Sequence, residues 1–173
     1  MPIRYIQLYP YTYYHIYNRG FDKQTIFYDH QDYDRFYKTM LRYNKDDFSK
    51  IDIASYCFLP NHFHFILISK SDDEYYISNF MRKLQQSYSQ FFKIKHSLGK
   101  GQFFEGRFKS KPIQDEAYLQ KCFVYVNFNP VKHGLVEDIK DWDYTSYHML
   151  DETKKKQYLT LSEEIGILDD LEF

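Results

Sequence analysis

The segment that most restricts this chain is 51–69, where two apolar runs are separated by Pro60-Asn61. The first run, 51–59, reads as a strand, Pro60-Asn61 as the break, and 62–69 as a second strand. Two strands so closely joined can only pair antiparallel, because a parallel pair needs a long crossover. In His62-Phe63-His64-Phe65-Ile66-Leu67 the side chains alternate in face. Phe63, Phe65 and Leu67 then point into a core, and His62 and His64 share the other face.

Around this hairpin, 11–17 is rich in β-formers and ends at the turn signal Asn18-Arg19-Gly20. Segment 31–43 carries Tyr33, Phe36, Tyr37, Met40 and Leu41 at helical spacing, and 78–95 does the same with Phe80, Met81, Leu84, Tyr88, Phe91 and Phe92. Segment 102–113 is strand-like, interrupted by Gly106 and closed by Pro112. Segment 116–128 reads as a helix ended by Asn129-Pro130, since a residue before proline disfavours the α region. Segment 132–147 is irregular and holds the only tryptophan, Trp142. The order β-α-β-β-α-β-α predicts an α+β fold, a ferredoxin-like or RRM-like antiparallel sheet with helices packed on one face and the other face free for a ligand. The expected division is one domain over 1–150 and an acidic C-terminal tail over 151–173.

Composition narrows the function classes. The 173 residues suit one domain, with or without a tail. Nineteen Tyr and 16 Phe exceed ordinary usage; most belong in a core, and some would suit stacking on nucleic-acid bases. Cys57 and Cys122 lie in apolar runs and form no Cys-x-x-Cys motif, so buried free thiols are expected. Met1-Pro2-Ile3-Arg4-Tyr5 shows no signal-peptide pattern, and no apolar run approaches the roughly 20 residues of a membrane span. A cytoplasmic protein without a membrane partner is expected. The net charge of −1 conceals an asymmetry. Arg82, Lys83, Lys93, Lys95, Lys100, Arg107, Lys109 and Lys111 face Glu105 alone, whereas Asp151, Glu152, Glu163, Glu164, Asp169, Asp170 and Glu172 make the tail acidic despite Lys154, Lys155 and Lys156. A one-sided basic segment suits a phosphate-tracking surface, or simply a solvated helix face.

Two constellations carry possible chemistry. His62 and His64, roughly 7 Å apart along a strand, can both reach one ion. Two nitrogens make an incomplete site, and the alternative is a pair of surface histidines. Tyr125 and Asn129 stand four apart on a helix and so share a face. A phenolate attacks phosphorus competently, but its ordinary pKa near 10 requires help from a metal or a base. Tyr75 and Asn79 repeat the spacing, and Tyr125 as a core residue is the plain alternative.

Four motifs in register then point to a family. They are Tyr14-His15-Ile16-Tyr17-Asn18-Arg19-Gly20, Leu59-Pro60-Asn61-His62-Phe63-His64, Gly106-Arg107-Phe108-Lys109-Ser110, and Tyr125-Val126-Asn127-Phe128-Asn129-Pro130-Val131-Lys132-His133-Gly134-Leu135, followed by Trp142 and Ser146-Tyr147. In these the chain resembles the single-tyrosine HUH transposases of the insertion-sequence 200-like family, most closely the REP-associated tyrosine transposase branch. The resemblance implies the HUH endonuclease fold and a metal-dependent enzyme that cleaves and rejoins single-stranded DNA at hairpins. It implies Mg²⁺ or Mn²⁺ on His62 and His64, with Asn129 as a polar third ligand. Tyr125 would be the nucleophile, leaving a 5′-phosphotyrosine and a free 3′-OH. Arg82, Lys83, Arg107, Lys109 and Lys132 are candidates to steady the DNA backbone. Arg19, with Asn18, either holds a turn or touches DNA, and His133 is a phosphate contact or a satisfied loop histidine. Where the family commonly has Trp before Gly106, this chain has Phe103, Phe104 and Glu105. A monomer or a homodimer is expected. The competing readings are a non-catalytic RRM-like module that stacks bases on its sheet and, less favoured for want of zinc-ligand spacing, another kind of zinc hydrolase.

Overall fold

The hairpin at Pro60-Asn61 lies on one side of a four-stranded antiparallel sheet. In the computed structural model, which describes residues 7–165, strand β2 (Ile51–Leu59) pairs with β3 (His62–Ser69) from Leu59 opposite His62 to Ile51 opposite Ser69. Strand β1 (Tyr13–Arg19) joins the other edge of β3, with Arg19 opposite His62 and Tyr17 opposite His64. Strand β4 (Lys109–Ile113) adds beyond β1, giving the order β2-β3-β1-β4. The N-terminal reading on Met1-Pro2-Ile3-Arg4-Tyr5, and the acidic Asp169, Asp170 and Glu172, lie outside the described residues. No helix among the described residues is long and apolar enough to cross a membrane.

Strand β4 is shorter than the segment 102–113 expected to form it. Gly106 takes a φ of +70°, a left-handed conformation that breaks the extended run. Phe103, Phe104 and Phe108 are all buried in the main core.

That core lies between one sheet face and two helices. Helix α1 (His30–Asp46) contributes Tyr33, Phe36 and Met40; helix α2 (Tyr76–Lys95) contributes Phe80, Leu84 and Tyr88. They meet Tyr14 and Ile16 of β1, Tyr56 and Phe58 of β2, and Phe63, Phe65 and Leu67 of β3. Phe36 stands edge-on to Phe58 with ring centroids 5.0 Å apart. Each such ring contributes about 1.5–3 kcal/mol on burial. Tyr88, fully buried, donates its hydroxyl to the Ile26 carbonyl. The aromatic excess is thus largely a core device.

The α+β antiparallel sheet is the one expected from the chain order, but its helices are not confined to one face. Helix α3 (Glu116–Lys132) crosses the opposite face, where Leu119, Cys122 and Val126 pack on Cys57, Leu59, Ile66 and Ile113. An apolar seam runs across that face and could not be left in water. Cys57 and Cys122 are free thiols buried in it.

Helix α3 also continues through Pro130 instead of ending at Phe128. Asn129 keeps helical company because its side-chain Nδ2 donates to the Tyr125 carbonyl at 3.0 Å. The true end follows at Gly134, whose φ of +66° lets the chain turn away. On its outer side α3 meets helix α4 (Glu152–Ile165), whose Tyr158 packs with Val124, Phe128, Ile139 and Tyr147. Covered on two sides, α3 has no single apolar stripe. The segment between these helices is pinned from below: Thr145 and Ser146 hydroxyls donate to Asn127 Oδ1 at 2.8 and 2.9 Å, and Asn127 Nδ2 donates to Ser55.

Candidate active site

Strand alternation sets His62 and His64 on the α3 side of the sheet, their ring centroids 5.1 Å apart. Neighbouring β1 presents His15 and Tyr17 to the same side. Across from them α3 delivers Tyr125, whose ring stands edge-on to His64 with centroids 5.6 Å apart. One turn further on, Asn129 is fully buried. Its Nδ2 is used by the Tyr125 carbonyl, and its Oδ1 has no hydrogen-bond partner among the described residues. The fold thus brings together four residues that spacing offered and the family resemblance singled out.

The hydrogen bonds leave one particular ring nitrogen unused on each histidine. His62 Nδ1 donates to Asn61 Oδ1 at 2.6 Å, and His64 Nδ1 lies 2.8 Å from His15 Nε2. The Nε2 atoms therefore remain for a ligand. Burial, reinforced by the neighbouring His133, pulls His62 down to about 4, with the Asn129 amide drawing it partly back. Burial and then the neighbouring His15 hold His64 well below the usual imidazole range. Both rings are neutral near pH 7, the form that binds metals. Burial raises the Tyr125 phenol, an effect that the neighbouring Asn129 side chain opposes.

This donor set fits a divalent cation. It offers two neutral imidazole nitrogens and a buried amide oxygen that is otherwise unsatisfied, a costly condition without a ligand. A different three-residue group, Asp29, Asp32 and His96, also has metal-like spacing. Its work is structural: Asp29 and Asp32 form the capping box of α1, and Lys95 bonds both carboxylates.

The site opens into a cleft of about 380 Å³ lined by Tyr17, Asn18, Arg19, Lys23, Asn61, His62, His64, Glu105, Lys109, Tyr125 and His133. Of the cationic candidates, Arg19 and Lys109 are in this cleft, and Lys132 sets its ammonium 5.0 Å from the Tyr125 ring centre. Arg19 is held by a two-pronged ion pair to Glu105. Arg82 and Arg107 instead line a second cleft between α2 and the loop before β4. Lys83 lines neither cleft and pairs with Asp47 at 3.1 Å. Asn18 joins the two regions, donating to Gln85 Oε1 at 2.6 Å and to the Gly106 carbonyl at 3.3 Å.

Sequence reasoning missed Tyr17, Lys23, Asn61 and Glu105 in the cleft, and assigned no part to His15. His133, weighed as an ordinary loop histidine, has its ring centre 5.0 Å from that of His62. The available signal was period two in β1: His15, Tyr17 and Arg19 must share a face.

Residues 9–129 match the family model described as transposase IS200 like. The chain belongs to that family. The matched stretch runs from before β1 to Asn129 and so takes in both histidines and Tyr125. Among curated relatives of this chain, a Haemophilus influenzae protein provisionally named a REP-associated tyrosine transposase is 34% identical over 104 residues, covering 56% of this chain and 59% of the relative. The REP-associated tyrosine transposase of Escherichia coli is 26% identical over 98 residues, covering 56% and 54%. The aligned region thus spans a little over half the length of the curated relatives. A solved REP-associated tyrosine transposase bound to a REP hairpin shares the fold, with a TM-score of 0.63 at 21% identity over 86% of this chain and 82% of that one. The sheet face that an RRM-like module would offer to bases is covered here by α3.

Proposed function

We propose that this IS200-like transposase cleaves and rejoins single-stranded DNA at hairpin sequences through a covalent bond to Tyr125, assisted by Mg²⁺ or Mn²⁺. The observation that carries this is the cleft that His62, His64 and Tyr125 line together, with Tyr125 edge-on to His64 and the buried Asn129 one turn further along α3. The hairpin in the solved relative, and the names of the curated relatives, support the choice of substrate.

His62 and His64 would hold the ion through Nε2, and Asn129 through Oδ1. When bound, a divalent ion supplies Lewis acidity to a non-bridging oxygen of the scissile phosphate. Tyr125 Oη attacks phosphorus in line, and the bond from phosphorus to the 3′ oxygen breaks. The phenol proton is lost in the attack and the departing 3′ oxygen gains one, so no net proton is consumed. A 5′-phosphotyrosine remains, which conserves the bond for reversal by a second 3′-OH. Burial keeps the phenol protonated at rest. The Lys132 ammonium favours the phenolate as it forms. Lys23 and Lys109 steady the backbone, a role that carries no sequence information, while Glu105 holds Arg19 back at the cleft rim. Arg82 and Arg107 extend the cationic surface along the second cleft. Because both histidines and Tyr125 come from one chain, a monomer holds a full site and a homodimer holds two.

The test is covalent trapping with 3′-end-labelled hairpin-bearing single-stranded DNA and Mn²⁺. Wild type gives a labelled band that survives denaturation. An adduct undiminished in Tyr125→Phe sinks the assignment of the nucleophile. Hairpin binding that persists in EDTA, with no cleavage under any condition, returns the chain to a binding module.

A further inference from the structure

His15 belongs to a motif whose part in the chemistry is so far unassigned. It sits mid-way along β1, opposite Ile66, and its side chain is fully buried on the α3 side of the sheet. A wholly buried imidazole in an otherwise apolar seam needs a reason, since a polar ring taken from water must be hydrogen-bonded to be tolerated. Its Nε2 lies 2.8 Å from His64 Nδ1, and the two rings are nearly parallel, 7° apart with centroids at 5.1 Å. The ring also stands edge-on to Tyr125 at 5.8 Å and stacks on Tyr17 at 5.1 Å. It therefore touches both halves of the site while lining none of the cleft.

We propose that His15 is a positioning residue that fixes His64 in the tautomer able to bind a metal. This rests on the metal-site reading above. A neutral imidazole has one proton for two nitrogens. If His64 gives Nε2 to an ion, its proton must sit on Nδ1, and an acceptor must meet it there. His15 Nε2 is that acceptor, so the proton of His15 sits on its own Nδ1. Metal-bound histidines commonly donate their second nitrogen to a carboxylate, a carbonyl or water. Here a second histidine takes that part, and it does so without adding negative charge to a site that must also receive a phosphate. The same ring closes the space behind Tyr125, so one side chain holds the ligand and the nucleophile in register.

The experiment has two readouts besides activity. In ¹⁵N–¹H correlation spectra of the metal-free, full-length protein above neutral pH, His64 shows a protonated Nδ1 and an unprotonated Nε2. Its signals are assigned by their loss in His64→Gln. Mn²⁺ affinity is then followed by the electron paramagnetic resonance of the free ion. It falls roughly 10–100-fold in His15→Phe, and His15→Gln, whose Oε1 can replace the Nε2 acceptor, recovers most of the loss. A His64 proton on Nε2 in the wild type overturns the proposal. So does unaltered Mn²⁺ affinity in a His15→Phe protein that melts as the wild type does. Should His15→Phe fail to fold, the wild-type tautomer still decides. A wild type that binds no Mn²⁺ refutes the metal reading itself, a result distinct from either outcome for His15.

Discussion

Asn129 donates its side-chain nitrogen to the Tyr125 carbonyl one turn back on α3, at 3.0 Å, and so leaves its Oδ1 buried without a hydrogen-bond partner among the described residues. Removing the side chain deletes a hydrogen bond worth about 0.5–1.5 kcal/mol and also an unsatisfied acceptor costing about 1–3 kcal/mol. Asn129→Ala is therefore expected to melt within a few degrees of the wild type, since a change of about 1 kcal/mol moves the midpoint roughly 2–4 °C in a chain of this size. Its Mn²⁺ affinity and adduct yield should fall at least about tenfold. Calorimetry beside metal titration checks the split, and a large loss of stability with metal binding intact would make Asn129 purely structural.

Glu105 takes hydrogen bonds from Nε and Nη2 of Arg19 at the cleft rim. Both side chains are partly exposed, so the pair contributes little to folding. Glu105→Gln should release the guanidinium toward DNA. The expected result is tighter hairpin binding and a salt dependence steeper by about one counterion. Binding isotherms at several ionic strengths measure both, and an unchanged slope would leave Arg19 without a phosphate role.

Three buried rings make stability depend on pH. His15 is held down to about 3 by burial and then by the Lys111 charge, His62 to about 4 by burial and then by His133, and His64 well below 6.5 by burial and then by His15. The unfolded chain protonates these rings near 6.5, before the folded chain does. Stability is accordingly full above that pH and is lost as pH falls toward 4, by about 1.4 kcal/mol per pH unit for each ring. Melting temperatures recorded from about pH 7.5 to pH 5 should decline, and less steeply in His15→Phe. A flat profile would mean that the rings are protonated in the native state.

The side chain of Asp32 has no exposure and accepts from the Tyr28 backbone at 2.8 Å, Lys95 at 2.9 Å and His96 at 3.0 Å. Breaking a buried charge network on one side costs about 3–5 kcal/mol. Asp32→Ala should lose about that much in denaturant unfolding. In the wild type, Mn²⁺ should broaden the NMR signals of His62 and His64 and spare those of His96.

The hairpin, the two core helices and the shared face of His62 and His64 were legible because each follows from local periodicity. The position of α3 was not. Its apolar residues answer to two partners, the sheet through Leu119 and Val126 and α4 through Val124 and Phe128, so no one-sided stripe announced a face. Its passage through Pro130 was hidden for a related reason. Proline's preference against a preceding helical residue is local, whereas what holds Asn129 in the helix is its burial and its bond to Tyr125. The contact of His15 with His64 was not legible because only the pairing of β1 with β3 brings the two rings together.

Helix α4 gives the acidic segment a mechanical meaning. Its Tyr158 lies against Val124 and Phe128 on the outer side of the helix that carries Tyr125. A protease cut after Leu150 that released this helix would remove part of that cover and leave Ile139 and Tyr147 in place, although no residue of α4 lines the cleft. The rear support of Tyr125 would be weakened while every group in the cleft was still present, and on the proposed mechanism strand joining would fail through lost alignment.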